Sequence, residues 1–144
     1  MSSEVNAIIL AGGKNSRMEG KDKAFLEIEG KPIVEHLINK FKVLVNEIIV
    51  VTNNPERYSA YPVKLVSDEK PGLGPLMGIY CGLKASSAGY NFVAACDMPF
   101  LDAGLVKYMI DSSDAYDALI PEIDNRLHPL CGLYSRDCLA VIEE

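Results

Sequence analysis

The chain lacks an excess of positive charge: 14 Lys and Arg stand against 20 Asp and Glu, a formal net charge of −6. Nucleic-acid affinity needs a clustered basic footprint, so the balance argues against a general polyanion binder but does not exclude a local anion site. Histidine is scarce, with only His36 and His128, and the four cysteines (Cys81, Cys96, Cys131 and Cys138) include no C-x-x-C pair. Zinc-site and redox-motif readings are therefore weak. Free, mostly buried thiols in a reducing cytosol are the simpler expectation. No apolar run reaches the roughly 20 residues of a membrane span. Met1-Ser2-Ser3-Glu4 leads straight into a short apolar strand, without the basic leader of a secretory signal. Internal repeats, linkers and low-complexity tracts are absent too. A cytoplasmic protein with no nucleic-acid and no membrane partner is the expectation.

What is present is an ordinary globular composition. The 144 residues are 49% hydrophobic and 24% charged. At about 150 residues per domain this is one domain, residues 1–144. A chain of this size buries roughly 70% of its unfolded surface and needs no disulfide or metal to fold.

Short β-branched runs alternate with helical patterns. Val5 to Ala11 reads as a buried strand ending at Gly12-Gly13. Ile33, Val34, Leu37, Ile38 and Phe41 mark one face of a helix over Ile33 to Val43, with Pro32 at its first turn. Glu47 to Thr52 is a second strand, Pro55 opens a short helix, and Val63 to Ser67 is a third strand. A helix follows from Pro75 to Ala85, then a strand over Asn91 to Cys96 and a helix from Asp102 to Ile110. Strands near Ala118 to Ile120 and Leu130 to Tyr134 flank a turn at Asp124-Asn125, and Cys138 to Glu144 starts a helix. This alternation predicts an α/β domain with a mainly parallel sheet, right-handed crossovers and helices on both faces. Continuous apolar strands fit burial on both faces. Ligands of such sheets bind beyond the carboxyl ends of the strands.

Four segments at or near those ends carry candidate chemistry. Gly12-Gly13 lets the backbone turn sharply, and successive N–H groups in such a turn form an anion-binding nest. From Lys14 to Lys23 there are four basic and two acidic residues, a local +2. A phosphate cradle fits, and a solvated basic loop is the bland alternative. The segment matches neither G-x-x-x-x-G-K-[ST] nor G-x-G-x-x-G. Asp97, after the fourth strand, can hold Mg²⁺ with substrate phosphates or cap the turn before Pro99. Asp68 precedes Gly72, Gly74 and Gly78. That loop can embrace a nucleobase, or Gly78 can simply allow close helix packing. His128, held extended before Pro129, reads first as structural or exposed.

Leu10-Ala11-Gly12-Gly13-x-x-x-Arg17-Met18 with Asp22-Lys23, then Gly74-Pro75-Leu76-x-Gly78, Cys96-Asp97-Met98-Pro99 and His128-Pro129-Leu130, resemble the molybdenum cofactor guanylyltransferases, the MobA family, in order. The first motif alone marks only the wider nucleotidyltransferase class. The resemblance implies a three-layer, Rossmann-like nucleotidyltransferase domain. It also implies transfer of GMP from GTP to molybdopterin or its molybdenum-loaded form, with pyrophosphate released and Mg²⁺ as cofactor. Carried over by position, Leu10, Ala11, Gly12 and Gly13 line the nucleotide, and Lys23 contacts its phosphates with help from Arg17. Asp68 and the Gly74 to Gly78 loop surround the guanosine, Asp97 binds Mg²⁺, and His128 lies on the acceptor side. Molybdoenzyme-maturation proteins join the implied partners. Glu19 departs from the family's glycine after Met18, and Thr52 stands where some relatives have Asn. Relatives continue past the point matching Glu144, which implies a domain truncated at its C-terminus. Two alternatives accompany this expectation: a nucleotidyltransferase using CTP or a sugar phosphate, and a non-catalytic nucleotide-binding module.

Overall fold

The computed structural model describes residues 5–11, 17–18, 21–22, 27–28, 30–52, 55–67, 75–95, 103–111, 118–120, 122–123, 126–127, 131–135 and 138. In chain order the strands and helices are β1 (Val5–Leu10), β2 (Arg17–Met18), β3 (Lys21–Asp22), β4 (Glu27–Ile28), β5 (Lys31–Pro32), α1 (Ile33–Phe41) and β6 (Ile48–Val51). A 3-10 turn (Pro55–Tyr58) leads to β7 (Lys64–Val66), α2 (Pro75–Ala85), β8 (Tyr90–Ala95) and α3 (Ala103–Asp111). Then come β9 (Ala118–Leu119), β10 (Glu122–Ile123), β11 (Arg126–Leu127) and β12 (Cys131–Ser135).

Six strands form the main sheet in the order β7-β6-β1-β8-β12-β9. β7, β6, β1 and β8 are mutually parallel, and β12 runs antiparallel to both β8 and β9. The sheet is thus mainly parallel, as the strand–helix alternation predicts. Chain order reverses at β1, with β6 on one side of it and β8 on the other. That is the switch point where a crevice opens at the carboxyl ends of such sheets.

Every residue of β1 is buried, because successive side chains enter opposite layers. Val5, Ala7, Ile9 and Ala11 join Val34, Leu37, Ile38 and Phe41 of α1 and Val106 and Met109 of α3. Ile8 and Leu10 join Ile79, Cys81 and Leu83 of α2. Helices α1 and α3 therefore cover one face and α2 the other. Full burial of each large aliphatic side chain contributes about 1.5–3 kcal/mol. The Phe41 and Phe92 rings, 5.7 Å apart and tilted by 48°, fasten the end of α1 to β8.

Several boundaries differ from the sequence pattern. α1 stops at Phe41, and Val43 beyond it is 83% exposed, outside the apolar stripe. Pro32 is the N-cap of α1 and the end of β5 rather than a first-turn residue. Asp124-Asn125 does lie between strands, but the adjoining pair is β10 and β11, which nests inside the antiparallel pairing of β9 with β12. Cys138 is helical, and the rest of the helix expected from Cys138 to Glu144 lies outside the described residues.

Candidate functional site

The carboxyl ends of the parallel strands lie level. Leu10 pairs with Val51 on one side and Ala95 on the other, and Val51 pairs with Val66. Backbone bonds carry the ladder one step further: Ala11 N–H donates to the Val51 carbonyl at 3.0 Å, and Thr52 N–H donates to the Val66 carbonyl at 2.8 Å. Neighbouring strands lie about 4.8 Å apart, so the four chain exits form a row roughly 15 Å long. Gly12-Gly13 follows the β1 exit. Asp68 follows the β7 exit and Asp97 the β8 exit, each by two residues. Because β12 is antiparallel, Cys131, its first residue, pairs with Ala94 at this same edge, and His128 stands three residues ahead of it.

α2 runs opposite to the strands. A Cβ on Gly78 would meet Leu10 Cδ2 at 3.1 Å, and one on Gly82 would meet Ile8 Cγ2 at 2.5 Å. The earlier helix residue therefore sits over the later strand residue, and the first turn of α2 lies at the carboxyl edge. Pro75 has no N–H, and helix geometry leaves the next N–H groups of that turn without intrahelical partners. The positive end of the helix dipole thus points toward this edge.

Four of the residues singled out in the sequence lie within the described structure. Leu10 and Ala11 are buried in opposite layers. Their side chains belong to the core, which leaves backbone atoms as what they can present to a ligand. Gly78 is buried against Leu10, which realises the close-packing reading of that glycine. Arg17 lies in β2 and pairs with Asp22 of β3. Gly12, Gly13, Lys23, Asp68, Gly74, Asp97 and His128 lie outside the described residues. The structure does give the strand ends from which the segments carrying Gly12, Gly13, Asp68 and Asp97 depart.

Sequence reasoning missed three features. Two hairpins, β2–β3 and β4–β5, follow β1, and Gly30 with φ of 83° closes the turn of the second. A Gly at the second turn position was the available signal for both. It also missed Gly82, one helical turn after Gly78. The third is a buried polar network at the opposite edge of the sheet. Ser86 Oγ accepts from Asn6 Nδ2 at 3.0 Å and from Ala88 N–H at 3.1 Å, and donates to Asn91 Oδ1.

Among the described residues, two tyrosines away from the carboxyl edge have shifted titrations. Burial, followed by the charge of Glu35 and a hydrogen bond to it, raises the Tyr61 phenol above its ordinary value. Burial, with Cys138 nearby, does the same for Tyr134. Tyr61 leads into the amino end of β7, and Tyr134 pairs with Asn91 near the amino end of β8. Among the described residues no three His, Cys, Asp or Glu gather closely enough to hold a metal ion. Among them, too, no helix is long and apolar enough to cross a membrane.

Comparison with known proteins agrees with this geometry. The MobA-like NTP transferase domain matches residues 7–144. A Clostridium perfringens protein named "probable molybdenum cofactor guanylyltransferase" is 41% identical over 139 residues, covering 96% of this chain and 70% of that protein. A Syntrophotalea carbinolica molybdenum cofactor guanylyltransferase is 41% identical over 142 residues, covering 96% and 67%. The crystal structure of molybdopterin-guanine dinucleotide biosynthesis protein A from Archaeoglobus fulgidus superposes with a TM-score of 0.78 at 26% identity, over 96% of this chain and 71% of that one. The chain belongs to the MobA-like NTP transferase family.

Proposed function

We propose that this member of the MobA-like family transfers GMP from GTP to molybdopterin, or to its molybdenum-loaded form, and releases pyrophosphate. The observation that carries the reading is the pairing of Leu10 with Ala95. It makes the strand that ends in the glycine turn and the strand that precedes Asp97 immediate neighbours at the switch point. Relatives named for guanylyl transfer to the molybdenum cofactor supply the donor and acceptor.

In this reading the N–H groups of Gly12 and Gly13 cradle the triphosphate, and Lys23 and Arg17 neutralise it. Asp68 and the chain from Gly74 to Gly78 enclose the guanosine, with the first turn of α2 adding its positive end. His128, ahead of β12, serves the acceptor. A phosphate oxygen of the acceptor forms a bond to the α-phosphorus of GTP. The bond from that phosphorus to the bridging oxygen breaks, and pyrophosphate departs with the electron pair. Both reactants are anions, so fixed donors that favour the spread of charge lower the barrier without a nucleophilic side chain. Asp97 offers one hard oxygen ligand beside the phosphate loop, the donor chemistry that Mg²⁺ takes together with phosphate oxygens. When bound there, Mg²⁺ supplies charge neutralisation on the triphosphate. Cys81 and Cys138, neither of them in a disulfide, fit a reducing cytoplasm, and molybdoenzyme-maturation proteins would receive the product.

The test is pyrophosphate release with molybdopterin and Mg²⁺, run in parallel with GTP, CTP, ATP and UTP. GTP should be used in clear preference. A preference for CTP would overturn the choice of nucleotide, and binding of GTP without release for any acceptor would make the chain a non-catalytic module.

A further inference from the structure

We propose that the contact between Gly82 and Ile8 is a positioning device: it holds the entry of α2 at the height the nucleotide site requires, although neither residue lies at that site. The inference rests on the reading above, that the nucleotide lies along the carboxyl edge.

Ile8 is fully buried at the centre of the sheet, paired with Ile49 on one side and Val93 on the other. It is β-branched and hemmed in, so it has no other rotamer to adopt without displacing the core. A Cβ at position 82 would lie 2.5 Å from its Cγ2, 2.9 Å from Cδ1 and 3.2 Å from Cγ1. Ordinary carbon contacts begin near 3.5 Å, so a methyl group there must lift α2 by about 1 Å.

The other end of the helix cannot follow freely. Lys64 Nζ donates to the Ala85 carbonyl at 3.0 Å. Ser86, buried, is tied to Asn6, Asn91 and Ala88 N–H. A lift at Gly82 therefore becomes a tilt about Ser86. At 1.5 Å per residue, Gly82 lies about 6 Å from that pivot and Pro75 about 16 Å, so about 1 Å at the glycine grows to roughly 2–3 Å at the helix entry. That entry is joined in sequence to the 68–74 segment and, through Gly78, rests on Leu10, two residues ahead of Gly12-Gly13. Misplacement of about 1 Å in a positioned site can cost on the order of 100-fold in rate.

The experiment compares wild type with Gly82→Ala, Ile8→Ala and the double variant, which adds one carbon to the helix and removes from the strand the three Ile8 carbons that it would meet. Each is checked for folding by circular dichroism and thermal unfolding and titrated with GTP and Mg²⁺. Each is also assayed for kcat and KM below its unfolding temperature, and its amide NMR shifts are recorded. Gly82→Ala should fold, shift the amides of Leu76, Met77 and Leu10, and lose about 100-fold in kcat/KM. The double variant should return the shifts and regain most of the activity while remaining less thermostable than wild type, because the core is still smaller. A purely structural role predicts the opposite: activity that tracks stability and is not rescued. If Gly82→Ala binds and turns over GTP like wild type, or the double variant folds but stays impaired, the inference falls. If Gly82→Ala alone does not fold, the double variant decides it by the same criterion. If wild type itself fails to bind GTP, the guanylyl-transfer reading fails, and the amide shifts still decide whether this contact sets the height of α2.

Discussion

At the scale of single residues, the proposed site divides between groups that would touch ligand and groups that hold them in place. The side chains of Leu10 and Ala11 are of the second kind: they fill opposite core layers, and the Ala11 N–H is already bonded to Val51. A sequence motif that includes them reads as ligand contact, and at these two positions only backbone atoms are left to make it. Lys23 is proposed as the first kind. Lys23→Ala should lower the transfer rate by about 3 kcal/mol of barrier, on the scale of losing one preorganised donor, with little change in unfolding temperature. Steady-state kinetics on pyrophosphate release measures this, and an unchanged kcat/KM would remove Lys23 from the phosphate site. Gly78 and Gly82 show why residue roles are hard to read without a structure. A glycine in a helical pattern looks alike whether it meets Leu10, Ile8 or solvent.

Among the elements, those with continuous apolar runs were legible. β1, β6, β8, α1 and α2 were placed within a residue or two at most boundaries, because both faces of each strand and one stripe of each helix are apolar. The two-residue strands β2 to β5, β10 and β11 were not, since two residues carry no period. Only the turns between their strands, such as the one at Gly30, left a trace. The Asn6–Ser86–Asn91 network was also illegible, because Asn6 and Ser86 are 80 residues apart in sequence. Its satisfied, buried bonds tie the end of α2 to β1 and β8. Ser86→Ala leaves the amide of Asn6, the Asn91 carbonyl oxygen and the Ala88 N–H without that partner. The variant should lose about 1–3 kcal/mol of stability, measured by urea denaturation. A loss below about 0.5 kcal/mol, within the range of ordinary surface substitutions, would mean that the network does not anchor the helix.

For the molecule as a whole, function follows from strand order. Placing β6 and β8 on either side of β1 brings three chain exits to one edge at the point where the order reverses. The antiparallel β12 returns the chain to that edge just after His128. The alternation of elements foretold a mainly parallel sheet with ligand chemistry at the carboxyl ends. It did not foretell the level register of Leu10, Val51, Val66 and Ala95, which depends on non-local pairing. Binding that uses this edge joins residues from the start and the middle of the chain, so it requires the folded sheet and cannot be supplied by the glycine loop alone. The most direct test is a crystal structure of the chain soaked with GTP and Mg²⁺. The triphosphate should lie across the ends of β1 and β8 with its oxygens on the Gly12-Gly13 turn, the metal on Asp97 and the guanine beside the entry of α2. GTP bound on another face, or a metal held away from Asp97, would contradict the central claim that these neighbouring strand ends build one nucleotide site.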